Sequence, residues 1–99
     1  MSMIKGPELV LEEVAEVLDV SEDEVLREGL RALLERRLLT IKAQILEISG
    51  RYAVSSVKEM EARYRDGTLE EAGSWRDMQR LDHLEYQRDR LQTLLMNLG

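Results

Sequence analysis

The sequence predicts an all-α protein: about four helices with one long central helix, a helical hairpin plus a returning C-terminal helix, assembled as a dimeric bundle. Three observations carry that prediction. Charged residues make up 34% of the 99-residue chain and proline occurs once, a composition that favours helix. Apolar residues recur at three-, four- and seven-residue spacings, and no segment alternates as a strand would. Two Ser-x-x-Glu capping boxes, Ser21/Glu24 and Ser56/Glu59, mark helix starts.

The first helix is read over residues 7–18. Pro7 behind Gly6 is a usual entry, because the missing N–H of proline is one the first turn leaves unpaired anyway. Val10, Leu11, Val14, Val17 and Leu18 fall on one side, and Glu8, Glu12, Glu16 and Asp19 on the other. Its three valines are poor helix formers, so it depends on packing. Asp19-Val20-Ser21 makes a short turn, with Val20 and Val25 at the staple positions around the Ser21 cap.

The second helix is read over residues 22–49, ended by Gly50. Such a helix spans roughly 42 Å, too long for a compact domain of this size, whose radius of gyration is about 13 Å. It carries two apolar stripes. Leu26, Leu30, Leu33, Leu34, Leu38, Ile41, Ile45 and Ile48 are assigned to the chain's own core. Val25, Ala32, Leu39 and Leu46, spaced by seven and flanked by Gly29 and Ala43, are assigned to a homodimer seam. Arg37 falls inside the first stripe, either extending its guanidinium to water or pairing with a carboxylate across an interface.

The third helix is read over residues 56–66, with Val57, Met60 and Tyr64 as its buried face and Gly67 closing it. An acidic connector runs from Thr68 to Gly73. The fourth helix, residues 75–98, starts at a weaker cap formed by Ser74 and Asp77. Its apolar positions are Trp75, Met78, Leu81, Leu84, Leu91, Leu94, Leu95 and Leu98, interrupted by Arg88. With no Phe and four aromatic residues, the core must be filled by Leu, Val, Ile and Met. A single domain of this length buries only about 60–65% of its unfolded surface, and small helical cores are often completed by a second copy.

The net charge of −6 argues against a dedicated nucleic-acid binder and against docking on anionic membrane. No apolar run exceeds three residues, so no bilayer-spanning segment is expected. The absence of cysteine removes disulfides, thiolate catalysis and thiolate metal sites. Without a signal-peptide pattern at Met1–Pro7, a cytoplasmic location is expected. The acidity is uneven: residues 8–28 hold nine carboxylates against Arg27 alone, whereas residues 50–99 are nearly neutral.

Candidate chemistry is sparse. His83, the one histidine, lies beside Asp82 and is read as a solvated helix residue. Glu12, Glu13 and Glu16, with Glu22, Asp23 and Glu24, lack the spacing of a calcium loop and are read as a solvated acidic face. Arg27, Arg31, Arg36, Arg37 and Lys42 are interleaved with Glu28, Glu35 and Glu47, which favours pairing within the helix over phosphate contact. There is no phosphate loop, nucleophile elbow or dinucleotide fingerprint. The expectation is a protein that is not an enzyme, with no cofactor, metal or small-molecule substrate.

Two stretches carry a resemblance. VSEDEVLREGLRALLERR, Val20 to Arg37, resembles the second-helix region of prokaryotic antitoxins of the ribbon-helix-helix type. The basic strand that opens that family has no counterpart in MSMIKG, so its DNA contacts are not carried over. RYAVSSVKEMEARYRDGTLEEAGSWRDMQRLDHLE, Arg51 to Glu85, resembles a module of small archaeal and cyanobacterial proteins encoded beside a toxin-like neighbour. Its recognisable points are Tyr52, Ser55, Met60, Gly67, Leu69 and Trp75, with Ala53 in place of the usual Gly.

The resemblance implies a non-enzymatic protein–protein interaction module, an antitoxin-like component that binds and blocks a basic toxin partner. Trp75, Tyr86, Leu91 and Leu95 are the expected partner contacts, because buried aromatic and leucine side chains dominate such interfaces. The alternatives are a homo-oligomeric scaffold, with every apolar stripe buried between copies, and a DNA-binding regulator using Arg27, Arg31, Arg36 and Arg37.

Overall fold

A computed structural model describes residues 4–99, so residues 1–3 of the MSMIKG segment lie outside the described part. Four helices follow in order: α1 (Pro7–Leu18), α2 (Glu22–Tyr52), α3 (Val57–Arg65) and α4 (Trp75–Asn97). No strand occurs among the described residues, and the protein is all-α. α4 runs antiparallel to α2: its start meets the end of α2, where Arg51 and Tyr52 bind Asp77, and its end meets the first half of α2, where Arg31 binds Leu98. α3, which lies within the connection from α2 to α4, packs against α4, and α1 contacts the start of α2. The radius of gyration is 20.1 Å and the extents are 61 × 36 × 15 Å, so the molecule is a long thin slab.

Local sequence sets the helix starts. Ser21 Oγ accepts the N–H of Glu24 at 3.0 Å, and Ser56 Oγ accepts that of Glu59 at 3.2 Å. At the second cap the Glu59 carboxylate turns to the neighbouring serine, accepting the Ser55 N–H at 2.7 Å and its hydroxyl at 2.6 Å. The Ser74/Asp77 cap does not form. Ser74 is buried, with its hydroxyl donating to the Glu70 carbonyl at 2.7 Å and lying 2.7 Å from the Tyr64 hydroxyl. Asp77 is instead taken by Tyr52 and Arg51. Tertiary partners outbid the local cap because the carboxylate gains a hydroxyl and a guanidinium at once.

The second helix runs past Gly50 to Tyr52. Gly50 has open space around it and keeps a helical backbone. The chain reverses at Ala53, which takes the left-handed conformation (φ 52°) while the Val54 N–H reaches back to the Ser49 carbonyl at 3.0 Å. An alanine there costs about 1–2 kcal/mol relative to a conformation it prefers, and burial of Val54 against the core offsets it. The end of α1 is built alike: Asp19 has φ 56° and the Val20 N–H binds the Ala15 carbonyl at 3.0 Å.

The core lies at one end of the slab. Ile45, Ile48, Val54, Val57, Met60, Leu81 and Leu84 are buried together, with Tyr52, Tyr64, Leu69 and Met78 packed around them. Polar contacts close the same end. The Arg63 guanidinium donates to the Tyr52 carbonyl at 2.7 Å, capping α2, and the Glu85 carboxylate accepts the first N–H of α3, that of Val57, at 3.1 Å.

Candidate interaction surface

Burial falls steadily along α2 away from that core. Ile45 and Ile48 are buried and Leu34, Leu38 and Ile41 are half-buried, while Leu26, Leu30 and Leu33 are exposed although they belong to the same stripe. The reason is geometric. Beyond Ile41 toward the N-terminus, α2 has only α4 and, at its start, the short α1 against it, and helices side by side bury only the faces they turn to each other. One polar tie holds this end: the Arg31 guanidinium donates at 3.0 Å to the Leu98 carbonyl, where the partial negative charge of the α4 terminus gathers. Arg31 thus leaves Glu28, its expected partner within the helix.

Between α2 and α4 lies a broad open groove of about 650 Å³. Leu33, Leu34, Ile41 and Leu91 give it an apolar lining; Thr40, Gln44, Gln87 and Tyr86 add uncharged polar groups. Its charged lining residues are Arg37 and Arg90, with no carboxylate among them, and neither arginine forms an ion pair among the described residues. Arg37, placed by the sequence inside an apolar stripe, extends its head at the groove side.

The expected partner contacts divide. Tyr86 (62% exposed) and Leu91 line the groove, Leu91 half-buried at the α2 side. Leu95 is half-buried further along α4. Trp75 stands at the start of α4, partly exposed, with the Arg76 guanidinium 5.5 Å from its ring centre, a cation–π contact. The four do not form one patch, because Trp75 lies at the closed end and the others toward the open one. Of the seam residues, Leu39 and Leu46 are 71% and 72% exposed, Ala32 is exposed and Val25 half-buried. They lie on the side of α2 turned away from the core stripe. Sequence reasoning missed Arg90 and the uncharged polar groups of the groove; the signal available was Arg37 standing among leucines.

The remaining candidates are dispersed. His83 is exposed, and no group of three His, Asp or Glu residues able to hold a metal ion occurs among the described residues. Arg27 pairs with Asp23 at 2.7 Å, as the four-residue spacing suggests. The perturbed acids and bases cluster at the closed end. The Asp77 hydrogen bond, at 2.5 Å, holds the Tyr52 phenol above its usual range, with burial adding to it. The Ser55 hydroxyl and N–H hold the Glu59 carboxyl below its usual range, and Thr68 does the same for Asp66. These are structural hydrogen bonds around a turn.

Fold and surface together define a class: a small helical-hairpin protein closed at one end and open along an apolar groove at the other. The whole chain, residues 1–99, matches the model of the Uncharacterized protein MJ0235 family, and the chain belongs to that family. No curated protein and no solved structure matches it. Among the described residues no helix is long and apolar enough to cross a membrane.

Proposed function

We propose that this protein is a non-enzymatic protein–protein interaction module that acts through its open end. The observation that carries this is the apolar surface left uncovered there: Leu26, Leu30 and Leu33 on one side of α2, Leu39 on another, and Leu94 on α4. Large apolar side chains left exposed in such number on a small protein mark a contact site. Homodimerisation is the simplest use of it.

The narrower reading is an antitoxin-like component. It is favoured by the solvent-exposed carboxylates between Glu8 and Glu28, which suit a basic partner and would speed its association. Co-expression with the product of the adjacent gene tests it, and co-purification with restored growth is the expected result. Light scattering at tens of micromolar tests self-association. A chain that stays monomeric and also ignores its neighbour's product is not an interaction module. A scaffold reading is favoured instead if the oligomer buries every leucine face and binds nothing else. DNA binding through Arg27, Arg31, Arg36 and Arg37 predicts a low-salt gel shift lost in Arg36→Glu.

A further inference from the structure

The walls of the groove are zoned along its length. The bonds from Arg31 to Leu98 and from Tyr52 to Asp77 fix the antiparallel register of α2 and α4. In that register Arg37 lies level with Gln92, and Arg90 level with Leu39. Arg37 and Arg90 therefore stand on opposite walls, within about 3 Å of one level along the helix axes. On the closed side of this pair the walls are polar and uncharged: Thr40 and Gln44 on α2, Tyr86 and Gln87 on α4. On the open side they are leucine. Leu33, Leu30 and Leu26 follow Arg37 back along one stripe of α2 in steps of four, three and four residues, and Leu94 and Leu98 follow Leu91 along α4 in steps of three and four. Leu98 is half-buried and the other four of these open-side leucines are exposed. A second hollow, lined by Leu26, Leu30 and Leu98, continues the first toward the end of the hairpin, and its charged side chains, Asp23 and Arg27, are paired with each other. The floor of the main groove, Leu34, Ile41 and Leu91, is apolar and half-buried.

This arrangement fits an occupant with one anionic group and one apolar tail. No carboxylate lines the groove beside Arg37 and Arg90, and neither arginine forms an ion pair among the described residues, in a protein of net charge −6. An amphipathic helix separates its apolar and charged residues across its width; the groove separates them along its length. From Arg37 to Leu26 the leucine stripe rises about 16 Å, enough to lay an extended alkyl chain along it. The main hollow, about 650 Å³, lies within the range of about 300–1,000 Å³ that small ligands occupy.

We propose that the α2/α4 groove binds a free amphiphilic anion, its carboxylate or phosphate head between Arg37 and Arg90 and its alkyl chain along the leucines toward Leu26. The two guanidiniums give one anionic head charge-assisted hydrogen bonds from both walls. The chain removes from water leucines that the protein itself leaves exposed. The ligand is a free molecule rather than a lipid in a bilayer, because a protein of net charge −6 is repelled by an anionic membrane surface. This goes beyond the interaction reading and can fail separately from it, since Leu39 stands on another face of α2 and remains open to a protein partner.

Titration calorimetry of the full chain with laurate and with dodecyl phosphate, below the concentrations at which either aggregates, tests the proposal. Saturable binding of one ligand per chain is expected for at least one of them, and the tighter of the two identifies the head group. Dodecanol, which keeps the tail and lacks the charge, should bind at least about tenfold more weakly; butyrate, which keeps the head and lacks the tail, should do the same. Arg37→Gln with Arg90→Gln should weaken binding at least about tenfold. Both side chains are exposed, so helicity by circular dichroism should be unchanged. Arg36→Gln with Arg65→Gln removes two positive charges outside the groove and should leave binding as it was. The proposal is overturned if neither anion saturates, if dodecanol binds as tightly, if the groove pair binds like the parent, or if the control pair weakens binding as much. Vesicles of phosphatidylglycerol that retain the protein through Arg37 and Arg90 overturn it too, as does a leucine–glutamate helical peptide that fills the groove while laurate and dodecyl phosphate do not. Light scattering and co-purification with the neighbouring gene's product are scored separately and bear on the interaction module alone.

Discussion

The two ends of the α2–α4 hairpin are made of the same materials and have different fates. At one end Ile45, Ile48, Leu81 and Leu84 are buried; at the other Leu26, Leu30, Leu33 and Leu94 are exposed. Helix propensity and apolar content do not separate them. The difference is a third helix. α3, with Val57 and Met60, covers the hairpin at the closed end; at the open one α1 touches the start of α2 but leaves these leucines exposed. The two turns repeat the contrast. Asp19-Val20 and Ala53-Val54 reverse the chain through the same left-handed closure, yet Val54 is buried and Val20 is at the surface. A well-formed turn therefore does not make a core; it makes one only where it delivers its helix to a second apolar face.

The largest expected effect comes from opening the closed end. Leu81→Ala removes a fully buried side chain and should cost about 2–5 kcal/mol, whereas Leu39→Ala, in dilute monomer, should change stability by less than about 0.5 kcal/mol. Urea unfolding followed by circular dichroism compares them. Equal losses would mean that both ends are closed in solution, and a Leu39 effect that grows with protein concentration would locate a seam.

Native-state hydrogen exchange should grade α2 without any mutation. The amides of Ile45 and Ile48 should be the slowest, and those near Leu26 and Leu30 faster by orders of magnitude in dilute solution. Protection at the open end that rises with concentration would show it being covered.

Next comes the tie between the helices. Tyr52→Phe removes the hydroxyl donor to Asp77 and should destabilise by about 1 kcal/mol. Ala53→Gly, by contrast, should stabilise by about 0.5–1 kcal/mol, since glycine takes the left-handed conformation freely and loses part of that gain to a more flexible unfolded chain. A destabilised Ala53→Gly variant would show that the alanine methyl contributes packing.

The smallest effect is on pH dependence. The carboxyls of Glu59 and Asp66 are held below their usual ranges in the folded protein, so each binds a proton less readily when folded than when unfolded. Their contribution is present at neutral pH and is lost as pH falls from the ordinary carboxylate range, about 4, through the lowered folded values. Glu59→Gln should flatten the acid limb of the stability profile between thermal melts at pH 6 and pH 3. An unaltered limb would place the acid sensitivity at other carboxylates.

Much of the fold was legible because its signals are local. Ser21 and Ser56 sit one residue before their helices, and their capping bonds form where the spacing placed them. Val57 and Met60 were identified as buried from periodicity alone. What was illegible depended on distant partners. Ser74 looked like a cap and is a buried hydroxyl bonded to Tyr64; Gly50 looked like a stop and lies inside a helix that ends at Ala53. The eight-residue stripe of α2 looked like one core face, and only its C-terminal part is one. Arg37 looked anomalous in that stripe, but Arg90, fifty-three positions away, is what makes it one rim of a basic groove.

By itself, then, the sequence determined an all-α chain, its four helix starts to within one residue and the residue types of its core, because capping and periodicity act over a few residues. Tertiary structure decided which half of each apolar stripe is covered, where α2 ends, and which charges share a surface. Those outcomes depend on where α3 and α4 lie against α2, and burial is a property of the neighbour as much as of the side chain.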